Sequence, residues 1–158
     1  MKRGKMKISI KLLHKDAKIP VFAHGSDQDA GADLCAVQSV FLSPGVPQLV
    51  KTGISLELPP GYEGQVRSRS GMALKYGVSV LNSPGTVDPS YRGELGVILM
   101  WTKKPGADGV VDTSARLAIT AGDRIAQLVI AKYEQVDYVE GDLTESERGG
   151  AGFGSTGA

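Results

Sequence analysis

The stretch Gly77-Val-Ser-Val-Leu-Asn-Ser-Pro-Gly-Thr-Val-Asp-Pro-Ser-Tyr-Arg-Gly93 decides how the 158-residue chain is read. Two β-rich arms, residues 78–81 and 86–87, flank Asn82-Ser-Pro-Gly85, four residues that favour a turn. The pattern predicts a β-hairpin. Pro89 disfavours α geometry at Asp88, so the Asp88 carboxylate is expected on extended chain at a strand end. A carboxylate, the Asn82 amide and Tyr91 on one rigid element can read a small polar ring and act on a bond beside it. An ordinary hairpin with a turn asparagine and a turn-initiating Asp-Pro carries the same residues.

Working outward, residues 8–13, 37–42, 48–51, 54–58 and 62–67 read as short strands. Ser43-Pro-Gly45, Lys51-Thr-Gly53 and Leu58-Pro-Pro-Gly61 punctuate them as turns. Residues 95–101 and 125–131 are the two most apolar runs and read as buried strands. One short helix is expected over residues 70–76, with Ser70 as its cap and Gly77 ending it. Residues 1–7 are basic and without pattern, and residues 102–114 form a Lys-, Gly- and Asp-rich surface excursion. Short strands at this spacing predict an all-β sandwich or barrel. A single domain is expected over residues 1–139. From residue 140 the apolar pattern dissolves into a glycine-rich arm, residues 140–158, which cannot fold by itself.

Composition narrows the chemistry. Hydrophobic content of 41% and charged content of 22% suit a globular domain, and a net charge of +1 offers no general nucleic-acid or membrane surface. The single Cys35 excludes an intrachain disulfide framework and any multi-Cys zinc site. His14 and His24 are the only histidines, which excludes a His-rich metal centre and argues against a Ser-His-Asp triad. No apolar segment resembles a leader or a membrane span, so a reducing cytosol is the expected compartment. Carboxylates, arginines and backbone amides must then carry any chemistry.

Four further segments offer such groups. Ala30-Gly-Ala-Asp-Leu34 places Asp33 between small residues, where it either holds a divalent cation, directly or through water, or bonds to nearby backbone as a turn aspartate. Arg67-Ser-Arg-Ser-Gly-Met72 opens the helix, and its hydroxyl, guanidinium and free amides suit an anion better than a merely capped surface helix does. In Gly122-Asp-Arg-Ile-Ala-Gln127, Gln127 is a polar side chain inside an apolar run, aimed at a ligand or at solvent. The tail Arg148-Gly-Gly-Ala-Gly-Phe-Gly-Ser-Thr-Gly157 combines exposed amides with a guanidinium, two hydroxyls and an aromatic face. It lacks the Gly-Lys-Ser/Thr ending of a Walker loop and reads as a lid that orders on ligand. A nucleotide polyphosphate with Mg²⁺ fits all of these elements, in a site shared between copies of the chain.

Five segments in order, Ala30 to Leu34, Arg69-Ser-Gly-Met-Ala73, Gly85-Thr-Val-Asp-Pro-Ser-Tyr-Arg-Gly93, Gly122 to Gln127 and Arg148 to Gly157, resemble the motifs of the trimeric deoxyuridine triphosphate nucleotidohydrolases (dUTPases). They span nearly the whole chain. The resemblance implies a distorted jelly-roll β fold with one short helix and a flexible glycine-rich C-terminal arm. It also implies a homotrimer whose sites lie at subunit interfaces, each closed by a neighbour's arm. The implied reaction is hydrolysis of dUTP to dUMP and pyrophosphate, which keeps uracil out of DNA and supplies dUMP for thymidylate synthesis.

By the same resemblance Asp88 is the general base. Asn82 with Gly85, Thr86 and Val87 reads uracil, and Tyr91 lies under the deoxyribose. Arg69, Ser70 and Gly71 cradle phosphate and Gln127 reaches the α-phosphate. Asp33 holds Mg²⁺ through water, Arg148, Gly154, Ser155 and Thr156 close over the γ-phosphate, and Phe153 stacks on the base. The excursion at residues 102–114 is longer than the usual turn of the family. The tail reads Gly-Gly-Ala-Gly-Phe where bacterial members more often carry Gly-Ala-Gly-Gly-Phe. A dCTP deaminase of the same fold and a non-catalytic nucleotide sensor are the alternatives. Asp88-Pro-Ser-Tyr91 and the complete arm favour dUTP hydrolysis over both.

Overall fold

The computed structural model describes residues 5–151, and it is built almost wholly of β-structure. In chain order the elements are β1 (Ser9–Leu12), β2 (Ala32–Cys35), β3 (Val40–Leu42), β4 (Gln48–Lys51), β5 (Ile54–Glu57), β6 (Tyr62–Arg67), α1 (Ser70–Tyr76), β7 (Val78–Val80), β8 (Gly85–Val87), β9 (Gly96–Trp101), β10 (Leu117–Ile119) and β11 (Arg124–Lys132). Four antiparallel sheets result, ordered β2-β11-β6-β8, β4-β9-β7, β1-β5 and β10-β3. Alternation sets which side chains face inward. Val97 and Leu99 of β9 are buried while Ile98 between them is only half-buried, and Gly64 and Val66 of β6 follow the same rule. Val66, Val97 and Leu99 join Leu34, Leu42, Ile54 and Ile125 in one core that all four sheets share. The fold is all-β and jelly-roll-like with one short helix.

The central stretch departs from the expected hairpin. Its two arms join different sheets: β7 pairs with β9, Val80 opposite Leu99, whereas β8 pairs with β6, Gly85 opposite Val66. The Leu81 N–H donates to the Ile98 carbonyl and extends the β7–β9 ladder by one residue. Each three-residue arm gains a partner strand twice its length, and Val78, Val80 and Val87 all reach the core from opposite walls. The link from Leu81 to Gly85 can span about 13 Å, enough to cross the roughly 10 Å between packed sheets.

Helix α1 has the expected bounds but a different cap. Arg69, with extended backbone at φ −88° and ψ 125°, is the N-cap; Ser70 is the first helical residue and makes no capping bond. The Arg69 side chain is drawn away to an ion pair described below. Gly77 ends the helix in the left-handed region, φ 68°, as expected. A Cβ there would sit 2.5 Å from the Thr102 carbonyl oxygen, so only glycine fits. Strand β3 starts three residues later than expected, because the Ala36 and Val37 N–H groups bond to Asp123 and Lys51 carbonyls outside any ladder. Strand β10, three residues without alternation, was not foreseen at all.

Residues 102–114 form the expected excursion. A Lys103–Asp112 ion pair at 3.1 Å closes its base, and the Ser114 hydroxyl bond, with Lys103 next, draws the Asp112 carboxyl down to about 2. The Tyr133 N–H bonds to the Gly61 carbonyl, and beyond it the described chain is exposed and joins no sheet, with Tyr138 98% accessible. Among the described residues, no helix is long and apolar enough to cross a membrane.

Candidate active site

Asp33 is the hub of one polar cluster. It lies on β2, only 6% exposed, directly opposite Gln127 on β11. The Arg69 Nε donates to Oδ1 at 3.1 Å and the Arg124 Nη1 donates to Oδ2 at 3.1 Å. The Gln127 Nε2 makes a longer contact with Oδ1 at 3.4 Å. Arg69 is tied a second time, its Nη1 donating to the Arg124 carbonyl at 2.8 Å. Charge-assisted bonds of this kind fix a guanidinium plane as well as its position. Gly31 explains why Gln127 lies where it does. A Cβ on Gly31 would come within 3.2 Å of the Gln127 Cβ, so the small residue two positions before Asp33 leaves room for the amide side chain.

Arg124 was not among the expected site residues. Its ladder with β2 is broken by a register shift between Arg124 and Ala126. Such bulges re-aim side chains, and here the guanidinium turns onto Asp33. The available signal was a cation three residues before Gln127 at the mouth of an apolar strand. Beside the cluster, Ser70 and Gly71 are exposed, and their N–H groups, the first two of α1, have no intrahelical acceptor. Space in front of Gly71 is open: a Cβ would meet nothing within 4 Å. Cys35, on the same strand as Asp33, has its thiol pushed up by burial, which outweighs the opposing pull of nearby Lys18. It is therefore a poor nucleophile at neutral pH.

The second group surrounds a pocket of about 150 Å³ lined by Asn82, Gly85, Thr86, Val87, Asp88 and Tyr91, with Val66, Val80, Leu95, Gly96, Val97 and Ile98 behind them. Apolar walls with a few convergent polar groups suit a single heterocyclic ring. Gly85 again makes room: a Cβ would lie 3.2 Å from the Asn82 Nδ2. Asp88 is exposed at the strand end, as Pro89 requires, and its carbonyl accepts the Tyr91 N–H at 3.1 Å. The Tyr91 hydroxyl donates to the Glu94 carbonyl at 2.9 Å.

The two groups do not meet within one chain. Gln127 lies opposite Arg67 on β6, and Val87 opposite Gly64, so Asp88 falls beside Glu63, four residues along β6 and two strands across from Gln127. Strand spacings place the two backbones about 16 Å apart, too far for the two side chains to touch. Arg148 is exposed, its Nε donating to the Ala151 carbonyl at 2.8 Å. Phe153, Gly154, Ser155 and Thr156 lie outside the described residues. Among the described residues, no three His, Cys, Asp or Glu side chains gather to hold a metal ion. With Oδ1 doubly bonded and Oδ2 singly bonded, Asp33 keeps one acceptor position, which fits a metal-bound water rather than direct ligation.

Comparison with known proteins places this arrangement. The family model described as dUTPase matches residues 17–157. A deoxyuridine 5'-triphosphate nucleotidohydrolase from Solibacter usitatus is 49% identical over 153 residues, covering 97% of each chain. One from Anaeromyxobacter is 52% identical over 134 residues, 84% of each chain. Among solved structures, a mutant dUTPase of Staphylococcus bacteriophage 80alpha, described with dUpNHpp, superposes with a TM-score of 0.77 at 29% identity, covering 98% of this chain and 100% of the other. The dUTPase of phage phi11 of S. aureus, whose description names a structural Mg(II) ion, gives 0.73 at 27% identity over 89% and 100%. With both motif groups in their expected strands and relatives matched over almost its full length, the chain belongs to the dUTPase family.

Proposed function

We propose that the chain hydrolyses dUTP to dUMP and pyrophosphate, as a dUTP diphosphatase. The observation that carries this reading is the pocket itself: Asn82, Gly85, Thr86, Val87, Asp88 and Tyr91 all line one ring-sized space. Asn82 and the β8 backbone pair with O4 and N3–H of uracil. Cytosine would present its amino group to a donor, and a thymine methyl would meet the wall. Leaving buried polar groups unpaired costs about 1–3 kcal/mol each, which suffices for base selection. Tyr91 lies under the deoxyribose and excludes a 2′-hydroxyl.

Asp88 takes a proton from a water as its oxygen attacks the α-phosphorus in line. The bond to the β-phosphate oxygen breaks, and pyrophosphate leaves. Arg69, with Ser70 and Gly71, cradles the phosphates and Gln127 reaches the α-phosphate, both pre-set by Asp33. Bound Mg²⁺ would neutralise phosphate charge, with Asp33 accepting a hydrogen bond from one of its waters. The separation of Asp88 from Gln127 supports a homotrimer in which each site draws on neighbouring copies. Residues 1–139 form the body, and residues 140–158 form an arm that brings Arg148, Phe153, Gly154, Ser155 and Thr156 over a neighbour's substrate.

The test is pyrophosphate release from dUTP, dCTP, dTTP and UTP with Mg²⁺, for the native chain and Asp88→Asn. Release from dUTP alone, reduced about 10³-fold or more in the variant, is expected. Ammonia release from dCTP would assign the deaminase chemistry instead, and binding without turnover would leave a sensor.

A further inference from the structure

Three side chains make up the buried polar and charged set among the described residues: Asp33 at 6% exposure, Thr52 at 2% and Ser55 at 6%. Asp33 belongs to the phosphate cluster. The other two face the opposite half of the site. Burying a hydroxyl is unfavourable unless it is bonded, so its acceptor shows what it holds. The Thr52 hydroxyl donates to the Leu95 carbonyl at 2.5 Å, and the Ser55 hydroxyl donates to the Arg92 carbonyl at 2.7 Å.

Those two carbonyls bracket Gly93 and Glu94, and both residues touch Tyr91. A Cβ on Gly93 would stand 2.5 Å from the Tyr91 Oη and 2.6 Å from its Cζ, so the phenol lies directly on the glycine. The Glu94 carbonyl accepts the phenol hydroxyl. The Glu94 carboxylate is held in turn by the Gly53 N–H at 3.0 Å and the Lys51 Nζ at 3.2 Å. Two backbone bonds, Leu95 N–H to Ile54 and Thr52 N–H to Leu95, complete the attachment of the loop after Asp88 to the edge of β5 that β1 leaves open.

We infer that Gly93 and Glu94, seated on the Thr52 and Ser55 hydroxyls, are positioning residues that fix the Tyr91 ring and thereby set the choice of deoxyribose over ribose. This rests on the reading of Tyr91 as the sugar platform. A glycine is required because the ring must lie flush on the backbone. The buried hydroxyls fix the two carbonyls: the Ser55 hydroxyl holds that of Arg92, and the Thr52 hydroxyl adds a second, shorter bond to the Leu95 carbonyl that the Thr52 N–H already meets at 3.3 Å. Motion of the ring by a few tenths of an ångström changes the clearance above it, which is the quantity that separates a hydrogen from a hydroxyl at the 2′ position.

The experiment compares kcat/KM for dUTP and for UTP in the native chain, Gly93→Ala, Thr52→Val and Thr52→Ser, with dUMP and UMP affinities measured alongside. In Gly93→Ala and Thr52→Val the dUTP-to-UTP ratio is expected to fall about tenfold or more, with the dUMP-to-UMP affinity ratio falling in parallel, while Thr52→Ser retains the native ratio. An unchanged ratio in the folded variants, even with lower melting temperatures or equal losses on both substrates, overturns the inference. If Gly93→Ala does not fold, the Thr52 pair decides. A native chain inert toward dUTP would overturn the sugar-platform reading and this inference with it. Activity abolished by Asp88→Asn but with a ratio unmoved by Thr52→Val overturns this inference alone.

Discussion

At the scale of single residues, Asp33 shows how a group readable in sequence acquires its meaning only from its partners. Its setting between small residues left a cation site and a turn aspartate both open, and the family resemblance singled it out. The cations that complete it lie 36 and 91 positions away, a relation that only the register of β2, β11 and the cap of α1 creates. Arg124 escaped notice for the same reason, since a bulge rather than a spacing aims it. Replacing Asp33 by Asn leaves two guanidiniums around a neutral amide. The expected loss is about 2 kcal/mol in urea unfolding, below the range for fully buried pairs because Arg124 is half exposed. The same variant should need more Mg²⁺ for half-maximal turnover if Asp33 receives a metal-bound water. An unchanged urea midpoint would show that the two arginines are held by something else.

At the scale of elements, local signals located turns and ends but not partners. Asn82-Ser-Pro-Gly85 was legible as a turn, yet the sequence around it contains nothing that distinguishes a hairpin from a crossing between two sheets. Partner choice is settled by the longer strands β6 and β9, whose inward residues close the core around both arms. Helix α1 was legible almost to the residue because Gly77 is a backbone signal. Its bounds are those expected, and only the cap differs by one position, falling on Arg69, whose side chain a tertiary ion pair holds. Gly77→Ala combines a left-handed backbone with a Cβ against the Thr102 oxygen, and should cost about 2 kcal/mol. Thermal unfolding is the measurement, and a shift no larger than that of an exposed Gly109→Ala control would show that the Thr102 contact is easily relieved.

At the scale of the whole molecule, the sequence carried both halves of the candidate site in order and pointed to a site shared between copies, whereas the distance between the halves within one chain comes only from the sheet register. A chain lacking residues 148–158 is expected to keep its melting temperature within a degree or two, because the described end of the arm bonds only within itself. It should nevertheless lose turnover. Mixing and reassembling it in equal amounts with Asp88→Asn should restore about a quarter of native activity, since a random trimer pairs a good base with a good arm at that frequency. No recovery in a mixture shown to have exchanged subunits would place base and arm on the same chain.

The division of labour between sheet strands has one more consequence. The groups assigned to the base and sugar hang on β8 and the edge of β5, whereas those assigned to phosphate hang on β2, β11 and the start of α1. Apart from β6, which pairs with both β11 and β8, the two sets share no strand, so most substitutions in one leave the residues of the other in place. A lineage could therefore exchange one nucleobase for another while inheriting the same triphosphate grip, and the scaffold is evolvable along two nearly independent axes.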